Sequence, residues 1–185
     1  MSKPTVILDC DGVLYDFAGA VCEKYNVPVP QHFSDFGGVD LNAAYDDYDF
    51  CASVQPYAGA MQFVDDLRSF CRPQLATHAT PHAVWQHVRV SATEEHFGTR
   101  PCFTNTKWQI HGDVLVDDSS VNILGAVQFS AKRLVFVERP WSRPDRTRWP
   151  LSHSQITTLS APGLGSPDYN RLIAIIRQLL QERQP

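Results

Sequence analysis

The chain reads as an α/β domain, a parallel sheet covered by helices on both faces. Two observations carry this expectation. Short apolar runs, several ending in carboxylate or hydroxyl side chains, alternate with stretches of helical periodicity, and such alternation produces parallel sheets sandwiched between helices. The 185 residues, 43% hydrophobic and 19% charged, suit one core with a small insertion rather than two full domains. This composition excludes a disordered polymer, a collagen-like repeat and a disulfide-stapled miniprotein.

Taken in order, Thr5, Val6, Ile7 and Leu8 form a short buried strand, ended by Asp9-Cys10-Asp11-Gly12, where glycine permits a sharp turn. Residues 17–25 are helical. Residues 26–57 are irregular and rich in Asp, Pro and Gly, with Phe33, Phe36, Tyr45, Tyr48 and Phe50 interspersed, and read as a small insertion with short helices. Ala60, Phe63, Val64, Leu67 and Phe70 have helical spacing. Residues 74–77 are a second strand. Residues 81–97 open with proline at a helix start and place Val84, Trp85 and Val88 on one face. Asp113 to Asp118 is an apolar strand ending in two carboxylates, residues 120–126 a short helix, and residues 133–137 a further strand. Leu172, Ile175, Ile176, Leu179 and Leu180 mark a final amphipathic helix, with Ser166 as N-cap and Pro167 as its first residue.

Several function classes are excluded early. Sixteen basic against 20 acidic residues leave a charge of −4, too mild to steer the chain toward nucleic acid. No apolar run is long enough to span a membrane, and the apolar stretch before Asp9 is too short for a signal-peptide core. The five cysteines contain no CxxC pair and fit a reducing compartment better than a disulfide framework or a zinc site. A soluble cytoplasmic protein is expected. GxSxG, P-loop and GxGxxG patterns are all missing, which leaves hydrolase-triad, nucleoside-triphosphate and dinucleotide readings without a foothold.

The candidate chemistry sits at strand ends. In open parallel sheets functional groups gather beyond the carboxyl ends of strands, and here those positions hold Asp9 and Asp11, Thr77, and Asp117 with Asp118. Carboxylates brought together repel, and a hard divalent cation relieves that repulsion. All-oxygen ligands suit Mg²⁺ better than zinc. An EF-hand reading of D-x-D-G fails, because its first ligand would fall on Ile7 and its closing glutamate on Ala18. A lysine (Lys107) and a hydroxyl (Thr77) beside a metal and carboxylates make a cradle for a phosphoryl group.

The ordered set Asp9-Cys10-Asp11-Gly12-Val13, Thr77, Lys107 and Asp117-Asp118 resembles the four motifs of the haloacid dehalogenase (HAD) superfamily, over roughly residues 5–137. The trailing Asp16-Phe17, Thr80-Pro81, Trp85, Lys107-Trp108 and Gly112-Asp113-Val114-Leu115-Val116-Asp117-Asp118 are similar to the 5'(3')-deoxyribonucleotidase branch. The resemblance implies a Rossmann-like three-layer core (residues 1–15 and 72–185) and a small helical cap with its return helix (residues 16–71). It implies that Asp9 attacks phosphorus to form an aspartyl-phosphate and that Asp11 is the acid–base group. Mg²⁺ would be held by the side chains of Asp9 and Asp117 and the backbone carbonyl of Asp11, with Asp118 in support. Thr77 and Lys107 would hold phosphoryl oxygens, Thr80 being the alternative to Thr77, and Phe17 would lie near the base or sugar. The substrate class implied is a small phosphate ester, foremost a nucleoside monophosphate such as dUMP or dTMP, and a homodimer is compatible with the sequence.

Two features stand apart. His78, His82 and His87 lack zinc spacing and read as a strand end and helix surface, with His78 a candidate for the phosphate pocket. Residues 139–149 hold four arginines, one aspartate and two tryptophans, either a solvated loop or a base-stacking surface. The second option would make the protein a nucleic-acid end phosphatase. A non-catalytic binding domain is disfavoured by the full set Asp9, Asp11, Lys107 and Asp117.

Overall fold

The computed structural model describes residues 2–32, 35–142 and 155–182. Its elements run β1 (Thr5–Asp9), α1 (Phe17–Tyr25), α2 (Leu41–Asp46), α3 (Tyr48–Ser53), α4 (Ala60–Arg68), β2 (Arg72–Thr77), α5 (Ala83–Phe97), β3 (Cys102–Phe103), β4 (Val114–Asp117), α6 (Ser120–Phe129), β5 (Arg133–Glu138), β6 (Ile156–Ser160) and α7 (Tyr169–Gln181), with 3₁₀ turns at Lys107–Gln109 and Pro140–Ser142. The strands form one sheet in the order β3-β2-β1-β4-β5-β6, every neighbouring pair parallel. This is the parallel α/β sheet expected from the alternation of elements, in the Rossmann-like form that the resemblance implied.

Alternation along β1 explains the two-sided core, because successive side chains of a strand point to opposite faces. Val6 and Leu8 join Val114, Val116 and Val135 on one face, packed with Phe63 and Leu67 of α4 and with Leu172 and Ile176 of α7. Ile7 joins Leu115, Leu134 and Phe136 on the other, against Ile123 and Ala126 of α6. The order of strands reverses beside β1, which pairs with β2 on one side and β4 on the other. That switch point opens a crevice at the carboxyl ends. The register aligns Leu8 with Val116, so one residue further along Asp9 and Asp117 stand side by side.

The insertion leaves and rejoins the core at one place. Asp16 N donates to Gln55 O at 3.0 Å and Tyr57 N to Leu14 O at 2.8 Å. Within it, α2 and α3 start at aspartate N-caps. Asp40 accepts from Asn42 N at 3.0 Å and Asp47 from Phe50 N at 3.0 Å, the usual way of satisfying the first free amides of a helix. Both helices lie against α5, while α4 packs on β2, α5 and α7.

Two local readings change. The N-cap of α7 is Asp168, which accepts from Arg171 N at 3.0 Å, whereas Ser166 Oγ is drawn off to Ala58 O at 3.0 Å. Strands β3 and β6 had no sequence signal. The first has only two residues, and the second is a partly exposed edge. Among the described residues no helix is long and apolar enough to cross a membrane.

Candidate active site

The turn after β1 is built by backbone closure. Leu14 N and Tyr15 N both donate to Cys10 O at 2.8 Å, and Gly12 N donates to Tyr15 O at 2.9 Å. Gly12 has φ +83°, and a Cβ there would lie 2.1 Å from Asp118 Oδ2. Only glycine satisfies both the backbone angle and the close approach.

The turn delivers Asp9 into a buried cluster. Carboxylate oxygens of Asp9, Asp117 and Asp118 all lie within 4.8 Å of one another. Lys107, presented by its 3₁₀ turn and buried, pairs with Asp9 Oδ1 and stands 3.2 Å from Asp117 Oδ2. Asp117 accepts from Ser119 N at 2.7 Å and from Asn122 Nδ2 at 3.0 Å, while Asp118 accepts from Trp141 Nε1 at 2.8 Å. Burial, then the charge of Asp117, raises Asp9 well above the usual carboxylate range, and the same two causes push Asp118 up to about 7. For Lys107 burial opposes the charge, but Asp117 and Asp9 outweigh it and keep the ammonium protonated. Three crowded carboxylates against one ammonium, with oxygen donors only, fit a hard divalent cation.

Asp11 has different company. Its Oδ1 accepts from Arg89 Nη2 at 2.6 Å and its Oδ2 from Thr77 Oγ1 at 3.3 Å. Asp9, Asp11, Lys107 and Asp118 open onto a cavity of about 530 Å³. Its other wall is aromatic: Phe17 stacks on Tyr45 with centroids 5.6 Å apart and meets Trp85 edge-on at 5.4 Å. Phe36 and Phe50 close on Phe17 from behind the wall. Thr80 lines the cavity with a hydroxyl that has no partner among the described residues, whereas Thr77 is fully buried and spends its hydroxyl on Asp11. His78 also lines the cavity, and burial followed by the charge of Lys107 lowers its pKa.

The structure thus brings together Asp9, Asp11, Thr77, Lys107, Asp117 and Asp118, with Phe17 across the cavity. The sequence reading missed Arg89, a helix residue with no motif around it, and it missed what Arg139 and Trp141 do. Neither of these two is a solvated or base-stacking side chain. Arg139 is 1% exposed and donates to Gly12 O at 2.8 Å and Gly165 O at 2.6 Å, and Trp141 holds Asp118. Residues 143–149 of that segment, and Phe33, lie outside the described residues. His82 contacts Asp46 at 3.0 Å and Asn42 at 3.2 Å, joining α5 to α2.

No protein-family model matches the chain, and no curated protein matches it. Solved structures do. A haloacid dehalogenase-like hydrolase from Burkholderia xenovorans LB400 is 12% identical with a TM-score of 0.58, covering 97% of this chain and 99% of that one. A haloacid dehalogenase-like family hydrolase from Streptococcus pneumoniae is 13% identical with a TM-score of 0.55, covering 94% and 98%. The HAD-hydrolase YfnB from Bacillus subtilis, in a form bound to magnesium, is 14% identical with a TM-score of 0.50, covering 95% and 99%. The fold is that of the haloacid dehalogenase-like hydrolases.

Proposed function

We infer that the protein is a Mg²⁺-dependent phosphomonoesterase acting on nucleoside monophosphates, deoxyribonucleotides foremost, through an aspartyl-phosphate. The observation that carries this reading is the buried Asp9–Lys107 pair at one side of a cavity whose opposite wall is the Phe17–Tyr45–Trp85 cluster. A nucleophilic carboxylate with its cation faces a flat apolar slot, and planar stacking rewards a nucleobase over a sugar.

Asp9 attacks phosphorus, forming the Asp–O–P bond as the bond to the leaving oxygen breaks. Asp11, two residues on and open to the cavity, gives its proton to that oxygen, so the nucleoside leaves as an alcohol. It then takes a proton from the water that attacks phosphorus, releasing inorganic phosphate and restoring Asp9. Lys107 stays cationic and balances the charge of Asp9 and of the phosphoryl oxygens. Thr80, whose hydroxyl lines the cavity, is the better placed to supply a hydroxyl to the same oxygens, the Thr77 hydroxyl being taken by Asp11. Mg²⁺, held by the side chains of Asp9 and Asp117 and the backbone carbonyl of Asp11 with Asp118 in support, would add electrostatic stabilisation of the transferring group; the Bacillus subtilis neighbour of the same fold is itself bound to magnesium.

The test is one panel of esters with Mg²⁺: deoxynucleoside monophosphates, hexose phosphates, phosphoserine, p-nitrophenyl phosphate and 5'- and 3'-phosphorylated oligonucleotides. Deoxynucleotides should be hydrolysed fastest, and Phe17→Ala should cost nucleotides more than p-nitrophenyl phosphate, by about tenfold for a lost stacking surface. Sugar phosphates winning the panel would remove the nucleotidase assignment. Faster hydrolysis of the oligonucleotides would transfer it to nucleic-acid ends. No hydrolysis of any ester would leave a binding domain on a hydrolase fold.

A further inference from the structure

Arg89 lies on α5, twelve residues beyond Thr77, and is 2% exposed. Its guanidinium is clamped between two rings, 4.1 Å from the centroid of Tyr15 and 4.3 Å from that of Trp85. Its Nη2 reaches Asp11 Oδ1 at 2.6 Å, a charge-assisted contact much shorter than the 3.3 Å from Thr77 to the other oxygen. Its Nε meets no partner among the described residues. A buried cation normally collects acceptors for all its donors. This one leaves a donor empty, takes a single carboxylate, and is held in place by π faces instead.

We propose that Arg89 is a positioning residue for phosphoryl transfer: held by Tyr15 and Trp85, it fixes Oδ1 of Asp11 and thereby aims Oδ2 at the leaving-group oxygen. The proposal rests on the phosphomonoesterase reading above and adds to it how the acid is aimed. The planar clamp matters because a side chain on a turn has several rotamers, and only one places its oxygen for transfer. A misplacement of 1 Å costs about 10²-fold in such a step. Tyr15 is also where the insertion leaves the core, its backbone bridging Asp11 on one side and Pro56 on the other. Arg89 therefore braces the catalytic turn and the root of the insertion with one side chain.

The signature of an aimed acid is dependence on the leaving group. Phenol, with a pKa of about 10 like a tyrosine side chain, leaves well only if protonated, whereas the far more acidic p-nitrophenol leaves without help. The experiment measures kcat/KM for a series of ring-substituted phenyl phosphates with wild type, Arg89→Met and Arg89→Lys. Because kcat/KM stops at the first irreversible step, it reads formation of the aspartyl-phosphate and not its hydrolysis. Because the substrates are nearly isosteric, altered packing of Trp85 or a reduced folded fraction lowers all of them alike and cancels from the slope.

In Arg89→Met, phenyl phosphate should fall about tenfold further than p-nitrophenyl phosphate, part of the 10²–10⁴-fold that a placed general acid contributes. The plot of log kcat/KM against leaving-group pKa should steepen accordingly. Arg89→Lys, which keeps the charge but neither the stacking plane nor the fork, should lie between. A slope equal to wild type in both variants, with activity retained, would overturn the positioning role and leave Arg89 as packing. Absence of any hydrolysis by wild type would instead remove the phosphomonoesterase reading, a separate outcome.

Discussion

Asp9 and Asp11 stand two residues apart in opposite surroundings. The first is crowded by two carboxylates and one ammonium, and the second is tied to Arg89 and Thr77 at the cavity wall. Their spacing in D-x-D-G was legible, whereas two separate roles for them were implied only by the resemblance of the motif to the HAD pattern. Asp9→Asn and Asp11→Asn should each reduce turnover by at least about 10³-fold, as loss of a nucleophile or a placed acid–base group does. Circular dichroism should show both variants folded. Normal turnover in a verified Asp9→Asn preparation would remove the aspartyl-phosphate route. What the sequence could not assign was the division of labour between Thr77 and Thr80. Thr77 ends the apolar run and Thr80 follows three residues on, and only burial and partners separate a hydroxyl bound to Asp11 from one open to the cavity.

Periodic elements were readable and aperiodic ones were not. The spacing in α7 identifies its buried face, Leu172, Ile176 and Leu179. By contrast β3 has two residues and β6 is an edge, so each is defined by its pairing partner and not by its own pattern. The turn Pro140–Ser142 is the clearest case. Its tryptophan reads as a surface aromatic until β5 and β4 lie side by side and Trp141 Nε1 reaches Asp118 at 2.8 Å. Trp141→Phe keeps the ring and removes the donor, a change worth about 1–3 kcal/mol at a buried charged acceptor. The expected result is a several-fold higher Mg²⁺ concentration for half-maximal activity. An unchanged Mg²⁺ requirement would mean that this bond only packs the turn.

A divalent cation bound at the acidic cluster would be linked to the stability of the entire chain. Asp118 has its ordinary pKa near 3.8 when unfolded and about 7 when folded, raised by burial and then by Asp117. Between those values the folded protein holds more protons than the unfolded one, so the contribution of Asp118 to stability is full below pH 3.8 and is lost as pH rises to about 7. A bound divalent cation displaces that proton and reverses the trend. In EDTA the Tm should therefore fall from pH 5 to pH 8. Mg²⁺ at one fixed concentration, a hundred times its dissociation constant at pH 8, should add about 2.7 kcal/mol there and raise Tm less at pH 5, where protons compete for the carboxylates. A Mg²⁺ shift that is equal at both pH values, or activity that survives EDTA, would place the ion elsewhere.

Alternation of apolar runs and helical stretches determined the α/β architecture, because burial period is written locally along a chain. The acidic strand ends determined which residues meet, since a parallel sheet brings its carboxyl ends to one edge whatever the order of strands. The tertiary structure alone decided what surrounds them. Asp9 and Asp117 became neighbours through the β1–β4 register, 108 residues apart in the chain. Arg89 and Trp141, on elements with no motif, became the partners of Asp11 and Asp118. A strand or helix follows from the pattern of its own residues. The partner of a buried charge is chosen by whichever distant side chain the packing brings within hydrogen-bond reach, and no local pattern encodes that distance.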